Sequence, residues 1–368
     1  MGLHSRMATA LIFLYKQSSR PAAHLLASRE ATGIRSGNMT VARNTRDEIL
    51  SLLRRSGVVS GQELARRSGI SRNAVWKHIR ALRREGYRIE SSAGAGYRLL
   101  APPDRLVPRE IQDGLCTRFM GRIIHSYEEL PSTQGVSRDL AIGGCPEGTV
   151  VLAERQTEGR GRIGRTWSSL PHGVAMSVVL RPETEPEKAS VFPLLAGVAV
   201  AESVVSVTGL RARLKWPNDV LVQGRKAAGI LAELSAELDR INHLVLGIGI
   251  NVNARAWQMP SDMATGATSL RAESGTHVSR IDLVRAILTE LERYYDILLH
   301  RGFEPVRQAW KTLGATLGAQ VLVERSGEEL EGTALDIDEQ GALILEARDG
   351  ARVRVTAGDI RLRHRLGA

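Results

Sequence analysis

The stretch Glu158 to Trp167, EGRGRIGRTW, sets three glycines (Gly159, Gly161, Gly164) and three arginines (Arg160, Arg162, Arg165) ahead of a tryptophan. Guanidinium groups present fixed forks of N–H donors that match phosphate and carboxylate oxygens. Glycines at this spacing free the backbone for φ > 0 and for close approach to a ligand. The same spacing weakens a helix or strand, so the stretch is placed in a loop. Alone, it also fits a solvated basic turn.

Four other runs carry chemistry-bearing residues: PSTQ at 131–134, KWPND at 215–219, GRKAAGIL at 224–231 and GIGINVN at 247–253. Each has a plain structural reading. Ser132 and Thr133 suit the cap of a helix after Pro131. Trp216-Pro217 suits core packing at a strand end, and Lys226 a surface lysine. Asn251 and Asn253 suit turns, and His125 and His172 have no partner spacing. The order in which the runs occur together overturns these separate readings.

The elements that must position them form a multidomain α+β chain. Residues 109–316 read as a mixed α/β domain. Its strands are expected at Ile123–Tyr127, Thr149–Glu154, Val174–Leu180, Ala212–Lys215, Gly229–Leu234 and His243–Ile250, with long helices at Phe192–Val207 and Ile281–Arg301. Residues 317–368 turn strand-like, at Gln320–Arg325, Leu330–Asp336, Ala342–Ala347 and Ala351–Thr356, which predicts a small β-barrel.

Residues 41–100 predict a winged helix-turn-helix, and 101–108, with prolines at both ends, a stiff linker. A first helix spans Thr45 to Arg55. Ser60 opens a second, with Glu63 at the capping-box position, and Ser71 caps a third that runs to Arg84. Ala74, Val75, Ile79 and Leu82 form its inner stripe. Arg72, Asn73, Lys77 and Arg80 lie on or beside the opposite face. Arg and Asn near the start of such a helix reach guanine and adenine edges, whereas Lys77 and Arg80 suit phosphates. Tyr87–Glu90 and Tyr97–Leu99 form the wing.

Charge supports this reading. The net charge is +10, yet residues 41–100 hold 13 Lys/Arg against 5 Asp/Glu, and residues 1–40 hold 5 against 1. The remaining chain is slightly acidic, so the basic excess marks a polyanion-binding module on a nearly neutral body. Residues 1–40 read as a disordered extension, or as sequence upstream of a start at Met39; an organellar transit peptide is the lesser alternative. Two distant cysteines, Cys116 and Cys145, exclude a disulfide framework and fit a reducing cytoplasm. No apolar run approaches the roughly 18 residues of a membrane span.

Taken in order, the winged helix, the glycine–arginine run, KWPND, the GRK lysine and the terminal barrel closely resemble the BirA-type biotin protein ligases, which are bifunctional ligase/repressors. The resemblance covers residues 44–365. It implies a biotin/lipoate-ligase-like central domain and an SH3-like barrel. It implies that biotin and ATP form biotinyl-5′-AMP, with Mg²⁺ assisting, and that biotin passes to a lysine of the biotin carboxyl carrier protein of acetyl-CoA carboxylase. By this resemblance Lys226, Arg160 and Arg162 are catalytic. Ser132, Thr133, Gln134, Gln156, Arg160, Gly161, Arg162 and Lys226 bind biotin, with Gln134 standing where the family usually has Asn. Arg162, Arg165, Trp167, Asn218 and Lys226 bind the nucleotide, and Asp219 partners Mg²⁺. The glycine–arginine loop is expected to order on the ligand and exclude water. The adenylate acts as corepressor, favouring a homodimer on operator DNA that Ser71, Arg72, Asn73, Lys77 and Arg80 contact. The dimer edge is expected at His243–Ile250 or a neighbouring strand, and the barrel is expected to help dock the carrier. The alternatives are a non-catalytic, small-molecule-sensing winged-helix regulator and, more distantly, a lipoate ligase.

Overall fold

The computed structural model describes residues 45–92, 94–260, 266–325 and 328–362. The extension expected over residues 1–40 lies outside them. Contacts divide the described chain into two compact units, the first ending at Asp104 and the second starting at Arg105.

The first unit runs α1 (Thr45–Ser56), β1 (Val58–Val59), α2 (Gly61–Arg67), α3 (Arg72–Arg84), β2 (Arg88–Ser92) and β3 (Gly96–Ala101), with strand order β1-β3-β2. Serine caps set the helix starts as expected. Ser60 Oγ accepts from the Glu63 N–H (3.1 Å) and Ser71 Oγ from the Ala74 N–H (3.2 Å). The Glu63 carboxylate pairs with Arg66 at 2.7 Å, so the expected reciprocal cap gives way to an i,i+3 ion pair. Ile49, Leu50, Leu53, Leu64, Val75, Ile79 and Leu82 close the core. Gly96 lets β3 approach β1 closely: its φ is +116°, and a Cβ there would stand 2.6 Å from the Val59 carbonyl carbon.

The second unit begins with α4 (Pro108–Gln112), β4 (Ile124–Leu130), α5 (Thr133–Ile142), β5 (Val150–Gln156), β6 (Val174–Leu180) and α6 (Val191–Thr208). It continues through β7 (Ala212–Lys215), β8 (Asp219–Val222), β9 (Arg225–Ala236), β10 (Ile241–Ile250), α7 (Leu270–Ser274), α8 (Arg280–Arg301) and α9 (Glu304–Leu313). The chain then becomes all β: β11 (Gln320–Arg325), β12 (Glu328–Ile337), β13 (Leu343–Ala347), β14 (Arg352–Val355) and β15 (Asp359–Leu362). The main sheet has the order β4-β5-β6-β10-β9-β8-β7, and the C-terminal antiparallel sheet the order β14-β13-β12-β11-β15. Among the strands of the described residues only β4 and β5 pair in parallel, with α5 as the crossover between them. Residues of both sheets join one core cluster.

Three expectations change here. First, β10 lies in the middle of the sheet between β6 and β9, so neither it nor a neighbour is an edge; β4 and β7 are. Its near-continuous run of buried residues is the mark of a strand covered on both faces. Second, Pro186–Thr208 is a helix long and apolar enough to cross a membrane. It is apolar all round because it packs against β7 and β9 on one side and α8 and α9 on the other. Third, the linker is shorter than expected. Leu106 is already buried, its N–H donating to Glu154 Oε1 (2.7 Å) and its carbonyl accepting from Ser126 Oγ (2.7 Å).

Candidate active site

The glycine–arginine run lies in a loop, as expected, folded back on itself as a tight hairpin. The Trp167 N–H donates to the Gly159 carbonyl (2.9 Å), Gly161 to Arg165 (2.7 Å) and Arg165 to Arg162 (3.1 Å). Ile163 and Gly164 form the tip with φ of 53° and 68°, the backbone of a two-residue turn that matches strand twist. Of the three glycines only Gly164 uses a positive φ. Gly159 is required by proximity, because a Cβ there would collide with the Trp167 carbonyl.

This hairpin, the start of α5, the β7–β8 turn, β9, β10 and β15 surround a cleft of about 260 Å³. All the residues expected to hold biotin or nucleotide line it: Ser132, Thr133, Gln134, Gln156, Arg160, Gly161, Arg162, Arg165, Trp167, Asn218, Asp219 and Lys226.

At one end, α5 points its first turn into the cleft. Ser132 occupies the N-cap position but does not cap. Gln156 does so instead: its Oε1 accepts from both the N–H (2.8 Å) and the hydroxyl (3.1 Å) of Thr133. Ser177 Oγ donates to Thr133 Oγ1 at 2.8 Å. The Ser132 hydroxyl is therefore buried with no hydrogen-bond partner, and so is Gln134 Oε1. Gln134 spends its Nε2 on the Leu231 carbonyl (3.3 Å) and lies over Gly247, where a Cβ would press its amide carbon at 3.0 Å. An unsatisfied buried polar atom costs about 1–3 kcal/mol. These two atoms lie in the cleft wall, where a polar ligand can satisfy them; Ser68 Oγ and Ser137 Oγ, which do not line the cleft, are likewise without a partner.

At the other end, cations converge. Lys226 Nζ, from β9, pairs with Asp219 Oδ1 at 2.6 Å, and Lys215 Nζ stands 3.6 Å from Asp219 Oδ2. Arg162 donates to Asn218 Oδ1 (3.3 Å), and Asn218 is held by its Nδ2 donating to the Ile230 carbonyl (2.7 Å). Burial pushes the Arg162 guanidinium below its ordinary pKa, while Asp359 and Asp219 pull it back up. Arg165 pairs with Asp359 at 2.5 Å. Arg160 bridges Thr166 across the hairpin.

Trp167 floors the space between the two ends. Its indole lies on Gly249, where a Cβ would stand 2.7 Å from Cζ2 and Nε1, and the Lys226 ammonium sits 5.6 Å from the ring centroid. Trp216 is buried, bonding through Nε1 to the Gly341 carbonyl (2.9 Å), and so ties the main sheet to the C-terminal one. Both its structural reading and its place in the cleft wall hold.

Sequence reading did not single out Lys215, Asp359, Ile360 or Arg361, all of which line the cleft. Lys215 was visible as the lysine of KWPND. The other three come from β15, far along the chain, with no motif to announce them. Among the described residues no group of three or more potential metal ligands occurs. Of the two cleft carboxylates, Asp359 pairs with Arg165 and Asp219 is flanked by two lysines. Such a donor set suits Mg²⁺ that arrives on nucleotide phosphates, which then supply further ligands.

In the first unit Ser71, Arg72, Asn73, Lys77 and Arg80 are all exposed along α3. Trp76, not singled out from the sequence, is half exposed beside them, with the Arg80 guanidinium 5.3 Å from its ring centroid.

A winged helix ahead of a cleft lined by lysines and arginines and a small all-β unit defines a class, and comparison with known proteins agrees. Residues 127–251 match the biotin/lipoate A/B protein ligase family, residues 45–98 an HTH domain and residues 316–363 the biotin protein ligase C-terminal domain. This chain belongs to the biotin protein ligase family. More particularly, it is similar to the bifunctional ligase/repressor BirA of Bacillus spizizenii, at 38% identity over 86% of this chain and 98% of that protein. It is also similar to BirA of Escherichia coli, at 32% identity over 86% of this chain and 96% of that protein. A biotin protein ligase from Aquifex aeolicus, solved in complex with biotin and ATP, superposes with a TM-score of 0.57 at 28% identity. That match covers 66% of this chain and 99% of that one.

Proposed function

We propose that this protein activates biotin with ATP, passes the biotinyl group to a lysine of a carrier protein, and represses transcription when it holds the intermediate. In the first step a biotin carboxylate oxygen bonds to the α-phosphorus, and the bond to pyrophosphate breaks. In the second, the carrier amine attacks the acyl carbon and AMP leaves with the electron pair. The observation that carries this reading is the polarity of the cleft. Two buried, partnerless oxygens, Ser132 Oγ and Gln134 Oε1, lie at one end, and the Lys226, Arg162 and Lys215 cations at the other.

The neutral end suits a ureido ring, which both donates and accepts hydrogen bonds. Ser132, Thr133, Gln134 and Gln156 hold it, with the Arg160–Gly161–Arg162 segment closing over it. The longer Gln134 side chain still reaches the cleft with one oxygen free. Lys226, Arg160 and Arg162 neutralise charge on the carboxylate and the α-phosphate as the two anions are brought together. Asn218, Arg165 and Trp167 complete the nucleotide side. Asp219, with the phosphates, would hold Mg²⁺, which supplies charge neutralisation there. Hairpin closure excludes water from the mixed anhydride.

The carrier is the biotin carboxyl carrier protein of acetyl-CoA carboxylase, docked with help from the C-terminal unit. The adenylate-bound chain forms a homodimer, and two α3 helices meet paired operator half-sites. The protein acts in the cytoplasm. Incubation with biotin, ATP, Mg²⁺ and a carrier domain, read by mass spectrometry, tests the enzyme reading. One biotinyl group gained on the carrier lysine is expected. An unmodified carrier beside protein that binds biotin would establish the non-catalytic regulator instead.

A further inference from the structure

Trp76 is exposed at 50% on α3, so its ring is open to a partner. It lies on the flank of the stripe formed by Asn73, Lys77 and Arg80, opposite the buried Val75, Ile79 and Leu82. The Arg80 guanidinium stacks over its ring at 5.3 Å, fixing a mobile cation and a flat apolar surface as one unit. The surrounding residues 41–100 carry 13 Lys/Arg against 5 Asp/Glu, so the partner this face complements is polyanionic.

We propose that Trp76 is a base-reading residue. Its indole receives the 5-methyl group of a thymine in the major groove, while Arg80, held against the ring, is steered to the adjoining phosphate. The major-groove edge of thymine is the only one of the four that offers an apolar group, and apolar side chains read it by contact. Arg72 and Asn73 then supply hydrogen bonds to neighbouring bases, and Lys77 a second phosphate contact. This inference rests on the DNA-binding reading of the first unit.

The test uses full-length protein loaded with biotinyl-5′-AMP and duplexes enriched from a randomised DNA library by binding to it. Each thymine is then replaced singly by uracil, which removes only the methyl group. For the wild type, one thymine in each half-site should cost about fourfold in affinity, the worth of one buried methyl. Trp76→Ala should abolish that cost and leave the profile at every other thymine unchanged. Trp76→Phe should retain part of it. Because Trp76 is outside the core, melting curves of both variants should overlay the wild type.

A Trp76→Ala profile identical to the wild type, or a wild type indifferent to every uracil, would overturn the proposal. So would loss of self-association by Trp76→Ala with an unchanged uracil profile, which would assign the ring to a second copy of the chain. Failure of the wild type to enrich any duplex would overturn the DNA-binding reading itself.

Discussion

Lys226→Ala removes the ammonium that stands 2.6 Å from Asp219 and 5.6 Å from the Trp167 ring. Lys215 remains, but at 3.6 Å from the far oxygen of Asp219, too loosely placed to take over. The variant loses one preorganised cation where phosphoryl charge develops. Loss of one such donor costs about 10²–10³ in rate, or roughly 3–4 kcal/mol. The protein should still fold, because the Lys226 side chain is one-third exposed and the β9 backbone is undisturbed. The assay is biotin-dependent exchange of pyrophosphate into ATP, run beside transfer to the carrier from chemically supplied biotinyl-5′-AMP. Exchange should fall by about 10²–10³, and transfer from supplied adenylate by far less. Lys226→Arg should not restore exchange, since the fork of Arg is wider than a point ammonium. Exchange within a few-fold of wild type in Lys226→Ala would refute the assignment.

Further outcomes follow from the same geometry. Arg162→Ala, which opens the hairpin's contact with Asn218, should release adenylate about tenfold faster or more, read as free biotinyl-5′-AMP in a rapid filtration assay. Gly249→Ala should displace the Trp167 indole, because the new methyl would stand 2.7 Å from Cζ2. Biotin affinity by calorimetry should fall by at least about tenfold, within the range of small-to-large misfits. Asp359→Ala breaks an ion pair whose Arg165 side is 63% exposed, so its effect on the KM for ATP should stay below about fivefold. Truncation before Gly318 should abolish transfer, because it strips Trp216 of its Gly341 partner and uncovers the shared core. Lys77→Ala should lower the magnitude of the salt slope of DNA binding by about one, measured between low and physiological salt.

Local chemistry was readable wherever its cause was local. The caps at Ser60 and Ser71 fixed two helix starts, and the β6 span, Val174–Leu180, followed from its bounded apolar run. The ordered runs named nearly every cleft residue because each contributes side chains from one turn or strand end. Features that depend on tertiary placement were hidden. An apolar strand such as β10 announces burial but not its neighbours, so its place in the sheet was misjudged. The α6 run shows the same ambiguity, since a core helix and a membrane span share a composition. Ser132 has the residue type of a helix cap, and only the presence of Gln156 across the sheet shows that its hydroxyl is left for something else. Asp359 reaches the cleft from the last described strand, and nothing in its neighbourhood distinguishes it from any other surface acid.

One cleft must hold both halves of an acyl-adenylate, and a crystal structure of the protein with biotinyl-5′-AMP measures that directly. The ureido ring should satisfy Ser132 Oγ and Gln134 Oε1, with the phosphate between Lys226 and Arg162 and the hairpin closed over it. An adenylate bound elsewhere, or one that leaves both oxygens without partners and the Arg162 guanidinium turned outward, would contradict it.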